Sequence, residues 1–232
     1  RELINFEENY SEVKNIEIKD VVGQLDIKVG SDFRVEGQNV TEGFKAKVTK
    51  NGTLQVKEEG SGRIFNWFDN RSSNSKIVLY LPEDFKADKV SIEGGVSKTT
   101  IDYLHTKELK VRVGVGERYG NKIYAGDVDI NGGVGNVTLR DVTLHDIDVD
   151  AGVGELYIQG DIFGYSRIRG GVGQVQIDLN GDPMDYKLDI DSGIGQVRVN
   201  GGKTSGGIYG NHDAEHEIKI DWGIGEIEVK VK

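Results

Sequence analysis

Apolar and polar residues alternate along most of this chain, in short runs that end at glycine. The runs "VSIEGG" at 90–95, "VDINGG" at 128–133 and "IDVDAG" at 147–152 are typical. A period of two places successive side chains on opposite faces of an extended backbone, and it predicts half-buried β-strands. Because no segment carries the apolar stripe of an amphipathic helix, we expect an all-β protein.

A glycine phrase, G-[VI]-G or a close variant, follows these runs seven times. Its first glycine is Gly95, Gly114, Gly133, Gly152, Gly171, Gly193 or Gly223, and its second is Gly116, Gly135, Gly154, Gly173, Gly195 or Gly225. The first four steps between copies are 19 residues each, and the last two are 22 and 30. A fixed short period indicates stacked repeats. We predict that the glycines are structural and turn a corner, because glycine adopts backbone angles that a Cβ obstructs.

Each repeat has room for two strands. Counted from the first glycine, positions −5 and −3 are mostly Val, Ile or Leu, and so are positions +4 and +6. Nineteen residues at about 3.3 Å each give a perimeter of about 63 Å, whereas two strands of about 20 Å in sheets about 10 Å apart need about 60 Å. The sequence therefore predicts a flattened, single-stranded parallel β-helix, a solenoid with one coil per repeat. It has about eight coils if the degenerate copy "IEIKDVVGQLDI" at 16–27 is counted.

Further details follow from such a stack. We expect the coils to stack in chain order, and the Val or Ile between the two glycines to point into the core. We expect the large ring of Trp222 to cover the end of the last coil. Stacking brings equal positions about 4.8 Å apart, so positions −4 and −2 should form rows in which opposite charges are neighbours.

The repeats predict one continuous domain over residues 1–232, with a first coil at 1–28, an N-terminal cap excursion at 29–89 and the repeat coils at 90–232. Within the excursion, "FKAKVTKNGTLQVKEE" predicts a β-hairpin that turns at Asn51-Gly52, and "KIVLYLP" predicts a further strand.

Composition narrows the classes of function. The net charge is −10 and basic residues are not clustered, which argues against nucleic acid as a partner. The chain has no cysteine, so disulfides and thiolate chemistry are excluded. Its apolar runs are too short to span a bilayer. Because the chain starts at Arg1 rather than Met, we expect any signal or membrane tether to lie outside this sequence.

Two segments of the sequence resemble ligand-binding loops, but neither meets the requirements of its motif. A calcium-binding roll needs G-G-x-G-x-D, but its Asp position holds Val137, Val175 or Val197 here. "NGGKTSGG" at 200–207 ends like a phosphate-binding loop, but the required upstream glycine is absent and no helix is predicted to follow.

The strongest candidate site in the sequence is acidic. Equal positions on two neighbouring repeats carry five carboxylates and one amide, namely Asp127, Asp129, Asn131, Asp146, Asp148 and Asp150. This acidic grid suits a hard cation such as Ca²⁺, which prefers six to eight oxygen ligands. The alternative is a charge ladder without a cofactor, because Lys110 and Arg112 precede the grid and Arg167 and Arg169 follow it. We favour the ladder.

Two other clusters are weaker candidates. "RIFNWFDNR" at 63–71 concentrates Phe65, Trp67 and Phe68, which form either a docking patch or a cap over the first coils. "HDAEH" at 212–216 carries two histidines in an extended insertion, where we expect a solvated loop rather than a metal site.

The "I-x-x-G-[VI]-G-x-[VIL]-x-[VIL]" phrases, preceded by "LPEDFKADKVSIEGG", resemble the bacterial putative-adhesin or toast-rack family over residues 76–230 and 16–27. Ser97 and Arg118 depart from the pattern. The resemblance implies an extracellular or envelope-attached β-solenoid, often tethered by a membrane segment elsewhere, and it transfers no catalytic residue.

These observations predict a non-catalytic binding or sensing module that engages an unknown protein or envelope partner. The alternatives are a polysaccharide lyase or hydrolase, since β-helices also support such enzymes, and a purely structural spacer.

Overall fold

The computed structural model describes residues 2–58 and 74–232, and the described chain is built almost entirely of β-strands. The strands are β1 (Leu3–Tyr10), β2 (Asn15–Gly30), β3 (Phe33–Thr41), β4 (Phe44–Val48), β5 (Thr53–Glu58), β6 (Lys76–Pro82), β7 (Ala87–Ile101), β8 (Leu104–Val115), β9 (Arg118–Asn121), β10 (Ile123–Asn131), β11 (Val137–Asp150), β12 (Val153–Phe163), β13 (Tyr165–Leu179), β14 (Tyr186–Val199), β15 (Gly202–Thr204), β16 (Gly207–Gly210) and β17 (His216–Val231). A 3₁₀ turn, Pro183–Asp185, precedes β14. The all-β prediction is confirmed.

The central strands are parallel and pair at the 19-residue step that the sequence predicts. Ile130 pairs with Val149, which pairs with Ile168, and all three are buried. Beyond the corner, Val137 pairs with Leu156 and Leu156 with Val175. One repeat is therefore one lap of a stacked parallel coil.

The interior is aliphatic. The Val, Ile and Leu side chains at positions −5, −3 and +4 of these repeats are buried in one continuous core. Full burial of such a side chain stabilises the fold by about 1.5–3 kcal/mol relative to exposure, so the regular rows supply most of the driving force.

The N-terminal end of the stack is assembled out of chain order. Strand β2 lies between β7 on one side and β5 and β6 on the other, and all four run parallel. Strands β5 and β6 therefore lie outside the first coil. Antiparallel β4 and β3 cover the outer edges of β5 and β6, and β1 pairs with β3. The predicted β-hairpin, which joins β4 to β5, is confirmed.

The C-terminal end corrects the expected order of stacking. Strand β17 pairs with β13 through Ile168 and Ile220, and with β14 through Ile190 and Ile220. The last strand in sequence therefore lies between two earlier coils, and β14 is outermost. The outer edge of β14 is covered by antiparallel β15 and β16, which contain half of the "NGGKTSGG" segment.

The expectation that Trp222 covers the end of the stack is wrong because β17, which carries it, lies between β13 and β14. Its ring is 3% exposed and lies inside the stack, where its indole N–H donates to the carbonyl of Gly173 over 3.2 Å. The ring occupies the space beside Gly170, because a Cβ on Gly170 would lie 2.1 Å from the ring. The small residues Gly170 and Ser192 flank Trp222 in the neighbouring coils and leave room for it.

The charge rows are confirmed only in part: in the centre of the stack arginines pair with aspartates of neighbouring coils, although Asp129 and Asp148 are themselves like-charged neighbours. Arg112 pairs with Asp129 at 3.5 Å, and Arg169 pairs with Asp148 at 2.8 Å. Because β17 is inserted, however, Arg167 lies beside Lys219 and Asp221 beside Asp191. These like-charged neighbours are half-buried or exposed, where screening keeps the repulsion small.

Candidate functional site: an exposed aliphatic row and its groove

The residue between the two glycines of each phrase points outward, which corrects the expectation that it fills the core. The residues are Val96, Val115, Val134, Val153, Val172, Ile224 and Ile194, in the order of the stack, and their exposure runs from 43% to 70%. We call this set the valine row. Counted from the first glycine, the inward-facing residues are at odd positions before the corner (−5 and −3) and at even positions after it (+4 and +6). The alternation therefore changes phase at the corner, and the residue at position +1 faces outward.

The second glycine of the phrase makes that inversion sterically feasible. At Gly173 φ is +139°, and a Cβ there would lie 1.7 Å from the carbonyl oxygen of Gly154 in the neighbouring coil. The constraint on the first glycine differs between copies, since a Cβ on Gly152 would lie 2.0 Å from the carbonyl oxygen of Gly133, whereas a Cβ on Gly95 would have nothing within 4 Å. Of the two glycines, only the second lies too close to the neighbouring backbone to carry a Cβ in every copy that has it.

The valine row is continuous along the stack. Val96 pairs with Val115, isolated bridges connect Val115, Val134 and Val153, and the remaining members follow in register. Seven members give six steps of about 4.8 Å, a line of about 29 Å. Single exposed aliphatic side chains are common on protein surfaces, but a contiguous apolar row is typical of a binding surface.

A shallow groove runs beside the row. It is a depression of about 490 Å³, lined by Asn136, Val153, Gly154, Glu155, Val172, Gly173, Gln174, Ile224, Gly225 and Glu226. Three rows make its cross-section: the valine row forms one wall, the second glycines form the floor, and residues at position +3 form the other wall. The lining contains two carboxylates and no basic side chain.

The acidic grid is held by hydrogen bonds and ion pairs. Asp129 and Asp148 are adjacent and each pairs with an arginine, as described above. Asp146 accepts the Tyr165 amide at 2.9 Å, and Asp150 accepts the Gly152 amide at 3.1 Å. Within residues 2–58 and 74–232, no three His, Asp or Glu side chains lie together as a metal site would require. The favoured charge ladder, its alternative as a calcium site and the role of Asp127 all stay predictions.

The other predicted clusters have different outcomes. Phe65, Trp67 and Phe68 lie outside the described residues, so their role as docking patch or cap stays a prediction. In "HDAEH", the Nδ1 atom of His216 accepts the Gly164 amide at 3.1 Å, and its ring packs against Phe163 and Tyr186. His216 is therefore engaged in packing rather than in a solvated loop.

The two departures from the repeat pattern, Ser97 and Arg118, are buried on neighbouring coils, and Arg118 pairs with the buried Thr99 across the ladder. The guanidinium of Arg118 donates to the carbonyls of Val113 at 2.8 Å and Gly116 at 2.9 Å, while its Nε has no partner. Burial lowers the pKa of Arg118. The hydroxyls of Ser97 and Thr99 are also buried without a partner. Both departures are visible in the sequence, whereas the binding of Arg118 to the carbonyls of its own corner depends on the fold.

No helix among the described residues has the length and apolar character needed to cross a membrane.

Comparison with known proteins bears on the fold and the family. The family model described as Toastrack DUF4097 matches residues 13–200. No match was found among curated proteins. The chain is similar to a solved structure of a putative lipid binding protein from Parabacteroides distasonis, at 14% identity and a TM-score of 0.51, over 99% of this chain and 96% of that one. It is also similar to a putative cell adhesion protein from Clostridium sporogenes, at 17% identity and a TM-score of 0.48, over 100% of both chains. A putative adhesin from Bacteroides fragilis matches at 13% identity and a TM-score of 0.45, over 99% and 97%.

Proposed function

The chain belongs to the Toastrack DUF4097 family, and we propose that it is a non-catalytic binding or sensing module of the cell surface or envelope. The valine row is the single observation that carries the proposal. Seven aliphatic side chains are exposed to solvent in one line. Because they do not contribute to the core, polar residues at these positions would leave the core intact, so the apolar line indicates a binding surface. The count of about eight coils and the single domain over 1–232 are part of the same proposal.

The shape of the groove also favours binding over catalysis. It is shallow and open, whereas catalytic sites are usually enclosed clefts in which polar groups converge and water is excluded. A purely structural spacer would not need an apolar line on its surface, and polar side chains would make such a surface more soluble. Both points support a module that engages a macromolecule along its length.

The test is sedimentation of the purified chain with bacterial envelope fractions. We expect Val153→Ser combined with Val172→Ser to lower the bound fraction several-fold, because both side chains are exposed and their loss leaves the core intact. The matched control is Val29→Ser combined with Ile208→Ser, which removes equally exposed aliphatic groups away from the row.

Equal binding by both double variants and the unaltered chain would contradict the proposal. Release of soluble sugar from envelope glycans by the unaltered chain would also contradict it and would favour the enzyme alternative.

A further inference from the structure

The groove offers one kind of surface to a ligand, repeated along the axis of the stack. Along the groove, each aliphatic side chain of the valine row lies beside an acid or amide at position +3 of the same coil. These polar side chains are Asn136, Glu155, Gln174 and Glu226, and all are exposed. Between the two walls the floor is bare backbone at Gly154, Gly173 and Gly225. A ligand that fits must therefore be apolar along one side and must carry hydrogen-bond donors or positive charge along the other.

Charge selects among the possible occupants. The groove contains Glu155 and Glu226 without a basic side chain, and the whole chain carries a net charge of −10. Anionic membranes and nucleic acids would be repelled. A second copy of this chain would bring the same carboxylates against these. The complementary occupant is cationic.

Spacing selects the conformation of that occupant. The levels of the groove are about 4.8 Å apart, close to the 5.4 Å pitch of an α-helix and far from the roughly 6.6 Å between alternate residues of an extended chain. Glu155 pairs in register with Gln174, and Gln174 with Glu226, so the two carboxylates are two levels, or about 9.6 Å, apart along the axis. Residues seven apart on a helix are separated by about 10.5 Å.

We propose that the groove binds a cationic amphipathic helix of a partner polypeptide. Its apolar face lies on Val153, Val172 and Ile224, and Lys or Arg side chains seven residues apart reach Glu155 and Glu226. This is the helix-in-groove mode of recognition, with the stems of the basic side chains packed on apolar surface and their charged ends on the carboxylates. The inference rests on the proposed function, because it names the partner class of the same surface.

The experiment uses a fluorescent 18-residue Leu/Lys helical peptide with Lys seven residues apart, titrated with the full chain and followed by anisotropy. At low salt we expect Glu155→Gln combined with Glu226→Gln to weaken binding about tenfold, since two exposed ion pairs are lost. Val172→Ser combined with Ile224→Ser should weaken it several-fold. The charge-matched control is Glu83→Gln combined with Asp84→Asn, two exposed carboxylates in the turn before β7, and it should change binding less than twofold. Near-ultraviolet circular dichroism checks that every variant is folded.

Two results would overturn the inference. Equal weakening by the groove pair and the Glu83/Asp84 pair would show diffuse attraction to net charge. Equal affinity for a Lys-matched peptide in which Ser replaces Leu would show that the valine row takes no part. If the peptide fails to bind while envelope sedimentation still depends on Val153 and Val172, the helical occupant is wrong and the proposed function stands. If both fail, the proposed function fails as well.

Discussion

The two ends of the stack have the same arrangement, reached in opposite directions along the chain. Here coils are counted inward from the outer edge of the stack. At the N-terminal end the chain forms the second coil (β2), then the cover (β3 and β4), then the outermost coil (β5 and β6), and then the third coil (β7). At the C-terminal end it forms the third (β13), the outermost (β14), the cover (β15 and β16) and then the second (β17). The terminal coils β2 and β17 are thus held between neighbours on both sides, which protects segments that would otherwise fray.

The covers differ in how much they bury. In the N-terminal cover, Val35, Val40 and Phe44 are buried, and the ring of Phe44 packs edge-on against Phe6 at 5.0 Å. In the C-terminal cover, β15 and β16 have three and four residues, and Ile208 is 44% exposed. Pairing of the outer edge is therefore common to both ends, whereas among the described residues the N-terminal cover contributes fully buried apolar side chains and the C-terminal cover contributes the partly buried Tyr209.

The largest effect is expected at the inserted C-terminal coil. Trp222→Ala should lower the free energy of unfolding by about 3–5 kcal/mol, because it opens a cavity beside Gly170 and removes the bond to the Gly173 carbonyl. Urea unfolding followed by circular dichroism measures it. Trp222→Phe serves as the partial control and should lose less. A loss below about 1 kcal/mol for the alanine variant would mean that β17 is not clamped between β13 and β14.

A pair of substitutions compares the two covers directly. Phe44→Ala should cost about 3 kcal/mol, because it removes a buried ring from the N-terminal cover. Ile208→Ala should cost at most about 0.5 kcal/mol, because its side chain is largely in solvent. Thermal unfolding of both variants provides the comparison, and equal shifts in Tm would contradict the difference between the covers.

The smallest effect leaves the sequence unchanged. Amide hydrogen exchange in the native state should be faster in β15 and β16 than in β3 and β4, because short strands with few buried apolar contacts open at low free energy. Mass spectrometry of peptides from the two covers measures this. Comparable protection in both would show that the C-terminal cover has packing that burial of its side chains does not reveal.

The regular part of the fold was predictable because it depends on short-range spacing. The 19-residue step fixes both the length of a lap and the register of Ile130, Val149 and Ile168, so alternation alone predicted which side chains form the core. At the candidate site, the sequence pattern identified the glycines, but it led to the wrong prediction that the valine row points into the core. Odd-numbered positions face inward before the corner and even-numbered positions face inward after it. The residue at position +1 could therefore face either way, and only the backbone conformation at the corner settles its direction.

The all-β chain, its parallel laps and its aliphatic interior can all be predicted from the sequence, because each follows from the period of residues close together in the chain. Three features depend on the folded molecule: β17 enters between β13 and β14, Trp222 fills the space beside Gly170, and the valine row faces solvent. The physical reason is that equal repeats present nearly equal edges, so no local pattern distinguishes one neighbour from another. That choice depends on the fit of large against small side chains between segments distant in sequence.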